Sequence, residues 1–328
     1  MAHLAPDKTE VRPFVFPATP RQTQIALAMA TALLVGLVAS APFADTPLPR
    51  IDAFLPSFEG AVILTDFITS ILLFSQCSIY PSRALLALAS GYLFTALIVI
   101  PHVLTFPGAF SRNGLLGAGL QTAGWLYVFW HFGLPTAILI YSFLKDEKLK
   151  DDPIIETSAS YAVRWSVLIV IGVVCGLTLL VTTGGRILPT VFLDGTHIAP
   201  LAHYILALNA LVCTTALATL WVRRRSGLDQ WLMVVTLALI FELAINGLLI
   251  STRFTVGWYV SRLFAIATST IVLAVLLQET VVLYGRVARA NAMLLRERNN
   301  RLMTLEAVVA AIKHEVRQPL LRRCPALC

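Results

Sequence analysis

Five ionisable side chains sit inside long apolar runs of this sequence: Asp66, His102, His131, Glu242 and Arg262. Charge is costly in such surroundings and is a default pointer to function. Two carboxylates, two imidazoles and a guanidinium suffice to hold a ligand, relay a proton or bind a metal. Counted along helices at ~1.5 Å per residue, all five fall roughly 6 to 13 Å from one face of a bilayer. Loop charge makes that face the outer one, as argued below, and His203 and Asn246 extend the same layer. The expected arrangement is a polar ligand-binding pocket open to the outside, with Arg262 neutralised by Asp66 or Glu242. The alternative is that these groups satisfy one another as hydrogen bonds between helices. His102 and His131 belong to no local ligand-spacing motif, so neither metal nor haem is expected, and no cofactor is expected elsewhere. The run Trp125-Leu126-Tyr127-Val128-Phe129-Trp130-His131 can line a pocket or pack against lipid.

The elements that must position these groups follow from composition. Of 328 residues, 57% are apolar and 13% charged, with a mean hydropathy of +0.78. Soluble domains carry about 45–50% apolar and ~25% charged residues, so soluble and disordered classes are excluded. Eight runs near residues 22–43, 60–80, 84–106, 122–144, 165–184, 200–222, 229–250 and 257–284 reach the ~20 residues that a membrane helix needs. The fold class is therefore all-α, a polytopic membrane protein with eight transmembrane helices. Ala39-Ser40-Ala41 looks like a signal-peptidase site, but the long polar lead with Pro13, Pro17 and Pro20 favours a retained first span. Eleven Lys/Arg in one set of loops face four in the other, Arg50, Arg112, Arg186 and Arg253. Positive loops stay inside, so both termini are expected in the cytoplasm. Every outer loop is short, and a stimulus must be read within the membrane or at its rim. Cys77, Cys175 and Cys213 lie in apolar runs and suggest no disulfide framework.

Two stretches carry a specific resemblance. One is Gly91-Tyr92-Leu93-Phe94 running on to His102-Val103-Leu104-Thr105-Phe106-Pro107-Gly108-Ala109-Phe110. The other is Gly114-Leu115-Leu116-Gly117-Ala118-Gly119 through Gln121-Thr122 to His131. With Arg50-Ile51 and Asp66-Phe67-Ile68-Thr69, they resemble the MASE4 family of bacterial integral-membrane sensor domains. The resemblance covers roughly residues 13–285 and is strongest in the first four spans. It implies a sensor in the bacterial inner membrane, at residues 22–285 after a cytoplasmic segment at 1–21, placed ahead of a histidine kinase or a diguanylate cyclase.

After the eighth span the composition turns basic, with nine Lys/Arg against three Glu from Gly285 onward. Leu283, Val287, Ala290 and Leu294 make one coiled-coil seam, and Leu302, Leu305, Val309, Ile312 and Val316 another. The eight-residue step between them is a stutter, so residues 286–304 are expected to act as a signalling linker and to pair in a homodimer. The string Ala310-Ala311-Ile312-Lys313-His314-Glu315-Val316-Arg317-Gln318-Pro319-Leu320 resembles the phosphoacceptor box of sensor histidine kinases. That resemblance makes His314 the phosphoacceptor, exposed at an f position, and Glu315 its acid–base neighbour within residues 305–320. A response regulator is the implied partner if an intact kinase domain is supplied. Residues 321–328, with Cys324 and Cys328, depart from that family's pattern. The expectation is a chain cut short in this box, lacking the ATP-binding domain and inactive as a kinase alone. Basic charge beside a membrane points to anionic lipid headgroups, not to nucleic acid. Two further readings stay open, a small-molecule binding or transport protein and a regulatory partner in mixed dimers.

Overall fold

The computed structural model describes residues 19–145, 155–184, 187–194, 197, 199–224 and 226–321. The described residues form eight α-helices: α1 (Pro20–Ser40), α2 (Phe54–Ile79), α3 (Arg83–Thr105), α4 (Thr122–Leu144), α5 (Ile155–Thr183), α6 (Pro200–Val222), α7 (Gly227–Ala244) and α8 (Val256–Leu321). The described residues contain no strand, only two isolated bridges. All eight helices are long and apolar enough to cross a membrane, so the protein is a multi-pass, all-α membrane protein. It divides into a membrane unit ending at Leu276 and a second unit from Leu277 onward.

The helix starts are written locally. Thr19 and Gln22 form a capping box at α1, and Ser226 and Asp229 form one at α7. Ser82 caps α3 by accepting from the Leu85 N–H. Such caps satisfy N–H groups that the first turn leaves without helical partners. Pro20 and Pro200 open α1 and α6, where a missing N–H costs nothing.

In the membrane unit α3 packs chiefly against α2 and α4, and α6 against α4 and α7. The most apolar windows of α3 and α7 are 67% buried, whereas those of α1, α5 and α6 are 6%, 17% and 22% buried. The first pair is therefore central and the other three form the periphery. The α3–α4 contact depends on glycine: a Cβ at Gly91 would overlap the Ala137 methyl, and one at Gly133 would overlap the Phe94 ring. Small residues that let backbones approach are a recognised means of membrane helix association.

Two boundaries differ from expectation with consequences for the site. α2 begins at Phe54, six residues earlier than hydropathy suggests, and so takes in Glu59. Asp66 then lies twelve residues into α2, near its midpoint. The eighth span does not stop near 284; α8 is one helix to Leu321, because no Gly or Pro interrupts residues 286–318.

Charge is also buried at the opposite end. Lys145 Nζ lies 2.8 Å from the fully buried Asp229 carboxylate, which also accepts from the Tyr141 hydroxyl at 3.0 Å. Asp229→Asn keeps the shape and removes the charge. It should lower stability by about 2 kcal/mol, the scale of a charge-assisted hydrogen bond, read as a shifted unfolding midpoint in mixed micelles.

Candidate functional site

The site lies toward the distal end of the membrane unit, where α2, α4, α6 and α8 begin. α4 supplies Tyr127 and His131, four residues apart on one face, with ring centroids 3.8 Å apart. His131 Nδ1 is 2.9 Å from the Tyr127 carbonyl and Nε2 is 2.9 Å from Glu242 Oε1 on α7. A carbonyl only accepts, so Nδ1 carries a hydrogen. Nε2 and Oε1 consequently share one proton, either as imidazolium and carboxylate or as imidazole and carboxylic acid.

A second imidazole pair crosses from α3 to α2. His102 Nδ1 is 2.8 Å from Glu59 Oε1, and both side chains are buried. His102 also packs against Phe106, Tyr127 and Trp130.

Past Ala244 the α7 helix widens into a π-helical segment, Ile245–Leu249, a local form often found at functional sites. It contains Asn246, whose amide donates to the Glu242 carbonyl at 2.9 Å. Its Oδ1 accepts from Arg262 Nη1 on α8 at 3.2 Å. Arg262 Nη1 donates further to Ser261 Oγ and to the Trp258 carbonyl. Its guanidinium sits over the rings of Trp258, at 4.2 Å, and Tyr127, at 5.6 Å. All of its hydrogen bonds run through Nη1, which leaves Nη2 and Nε without one.

The connection between α7 and α8 adds a cation. Arg253 lies over Phe192 at 3.9 Å and Phe106 at 5.0 Å. The next residue, Phe254, has φ +64°, a conformation a non-glycine side chain keeps only under constraint. The constraint is visible, since Leu48 N–H donates to the Phe254 carbonyl and Val256 N–H to that of Thr46. Burial, with the charges of Arg262 and Arg50, pushes the Arg253 pKa down to about 9.

These side chains line two cavities of opposite character. One, of about 60 Å³, is walled by aromatic and aliphatic groups with Arg253, Arg262, His102 and Asn246, and no carboxylate lines it among the described residues. The other, of about 20 Å³, is lined by Asp66, Glu242, His131, Thr95, Thr268 and Ser269, with no Arg or Lys among the described residues. Room of that size holds a water. Asp66 is fully buried there beside Ser269, and neither carboxylate oxygen reaches a hydrogen-bond partner. Pro135 lines the same cavity and has no N–H to give the His131 carbonyl four residues back. The Tyr127–His131 stack divides the two, Tyr127 lining the first and His131 the second.

The structure thus brings His131 and Glu242 together and sets Asp66 beside their cavity. Arg262 and His102 line the neighbouring one. The neutralisation expected of Arg262 is corrected: it makes no ion pair with Asp66 or Glu242, and Asn246, Ser261 and ring faces receive it instead. His203 does not join the layer; it is exposed on an open groove of about 500 Å³ with Asp45, Asp194 and His197. No group of three or more His, Cys, Asp or Glu side chains suited to a metal occurs among the described residues. His314 and Glu315 fall on the helical backbone of α8, and their side chains lie outside the described residues, as do Cys324 and Cys328. Sequence reasoning missed Glu59 and Arg253. Glu59 sits one residue before the predicted second run, and Arg253 was counted only as a loop charge. The aromatic neighbours Phe106, Phe192 and Trp258 were the available signal for a pocket beside it.

Comparison with curated proteins and with solved structures finds no match. A family match does exist, to "MASE4: Membrane-associated sensor, integral membrane domain", over residues 49–284. It opens after α1 and closes at Tyr284, taking in every side chain of both cavities. The match spans most of the chain, and the protein accordingly belongs to the MASE4 family of integral-membrane sensors.

Proposed function

We propose that residues 22–285 are the input module of a two-component histidine kinase in the bacterial inner membrane, with both termini cytoplasmic and the guanidinium cavity facing the outer side. The observation that supports this most is the position of Arg262: it lines the cavity and belongs to the same unbroken helix, Val256–Leu321, that carries His314. Occupancy of the cavity alters α8, and α8 presents the His314–Glu315 box to an ATP-binding domain and then to a response regulator. Leu294, Leu302, Leu305, Val309 and Ile312 are each at least half exposed in the single chain. That supports a homodimer in which a second copy covers these seams.

The test joins residues 1–320 to the remaining dimerisation and ATP-binding domains of an intact histidine kinase and follows phosphate from ATP in membrane vesicles. Label should appear on His314 and vanish in His314→Ala. Arg262→Gln should change its level by about 5-fold or more, the lower bound of ordinary allosteric coupling. Label at His314 that ignores Arg262→Gln and His131→Ala in folded protein would remove the sensor reading; label absent from His314 would remove the phosphorelay.

A further inference from the structure

We infer that the small cavity between Asp66 and Glu242 is a binding site for one sodium ion. The site is separate from the guanidinium cavity, and its occupancy does not depend on the sensor reading.

An unpartnered carboxylate is the first argument. Asp66 lines the cavity and is fully buried, and neither of its oxygens has a hydrogen-bond partner although Ser269 stands beside it. Among the described residues it makes no ion pair. A buried charge left in this way is costly, and folds ordinarily pair it or place a metal ion on it. Glu242 differs, because His131 Nε2 lies 2.9 Å from its Oε1. That pair shares one proton and is neutral in either form. One negative charge is therefore left over, that of Asp66, and a single positive charge balances it.

The lining supplies the rest of a coordination shell. Thr95 and Thr268 donate their hydroxyl hydrogens to the carbonyls of Gly91, at 3.1 Å, and Phe264, at 3.0 Å, within their own helices. What their oxygens can still offer is lone pairs. Glu242 Oε2 has no partner and adds another acceptor. Oxygens of this kind are the ligands of hard cations. They come from α2, α3, α7 and α8, so one ion would tie four helices together.

Other occupants fit less well. A water has room and can donate to two of these oxygens, but it leaves the charge in place. A proton on Asp66 removes the charge and leaves a buried O–H with no acceptor in reach. A divalent ion needs a second free carboxylate, and that of Glu242 is committed to His131. At about 20 Å³ the space is that of one water, which excludes a hydrated ion or an organic ammonium and admits a bare sodium ion.

The full chain in lipid nanodiscs, unfolded by heat in sodium chloride and in choline chloride of equal ionic strength, tests this. An ion that binds only the folded state raises the midpoint, and saturating sodium should raise it by about 2 °C or more. Sodium-23 relaxation on the same samples should show saturable binding with a dissociation constant of about 10 mM or tighter. Asp66→Asn keeps the shape and loses the charge, and it should weaken sodium at least tenfold and abolish the shift. Thr268→Val, which removes one oxygen at constant shape, should lie in between. Should Asp66→Asn fail to fold, sodium against potassium and calcium on the unaltered chain decides, with sodium expected to bind most tightly. A midpoint indifferent to sodium, a sodium effect unchanged by Asp66→Asn, or an effect of potassium or calcium equal to that of sodium would each overturn the assignment.

Discussion

With His131 replaced by alanine, the membrane unit is expected to lose about 3–5 kcal/mol of stability, the range for removing one partner of a buried ion pair. Glu242 is 2% exposed. Its Oε1 would lose the imidazole 2.9 Å away, and its Oε2 has no partner to begin with. The surroundings offer little rescue, since the adjoining cavity already contains the unpartnered Asp66 carboxylate. Glu242→Gln should be far milder. An amide can still meet Nε2 and carries no charge to strand, so about 1 kcal/mol is expected, the net scale of a neutral hydrogen bond. The double variant His131→Ala with Glu242→Ala should recover much of the loss, because no stranded charge remains. Reversible unfolding in mixed micelles reads all three. A loss below about 1 kcal/mol for His131→Ala would show that the pair is hydrated rather than buried.

Gly91→Val tests the frame behind the site and should be as damaging. A Cβ at Gly91 already overlaps Ala137, with Leu134 beside it, and valine adds two more methyl groups against a close-packed α4. Overpacking of a core typically costs about 1–3 kcal/mol. Here the clash is with the Ala137 methyl, which is fixed to the α4 backbone and cannot turn aside as a longer side chain can, so at least the upper end of that range is expected. Gly172 on α5 is the control: a Cβ there meets nothing within 4 Å, and Gly172→Ala should stay within about 0.5 kcal/mol of the parent. Thermal unfolding of the three proteins in one detergent gives the comparison. A valine at 91 tolerated as well as the alanine at 172 would mean that α3 and α4 are not in close contact.

The eight spans were legible because lipid demands length and hydropathy of each helix separately, and those are properties of consecutive residues. The five ionisable residues well inside the apolar runs were legible for the same reason. Their partners were not. Whether Glu242 meets Arg262 or His131 depends on how α4, α7 and α8 turn toward one another, and these helices are apolar nearly all round, so no polar stripe declares the facing side. Asn246 shows the limit most clearly. Its position at the end of a span could be read, but its hold on Arg262 follows from the π-helical widening after Ala244, which nothing in the local residue types announces. Glu59 was lost to a boundary error of a few residues, and with it the partner of His102.

The uneven burial of the helices has a consequence for how such a protein diverges. α1, α5 and α6 turn most of their surface outward, and a neighbour made of hydrocarbon asks only that the surface stay apolar. Leu208, Leu211 or Leu179 can drift among leucine, valine and phenylalanine with little penalty. α3 and α4 have no such licence: Gly91, Gly133 and the Tyr127–His131 stack admit almost no substitute. Divergent relatives should therefore resemble this chain in α3 and α4 long after their outer helices have become unrecognisable, and the ancestry of the site is recorded in the helices that face away from lipid.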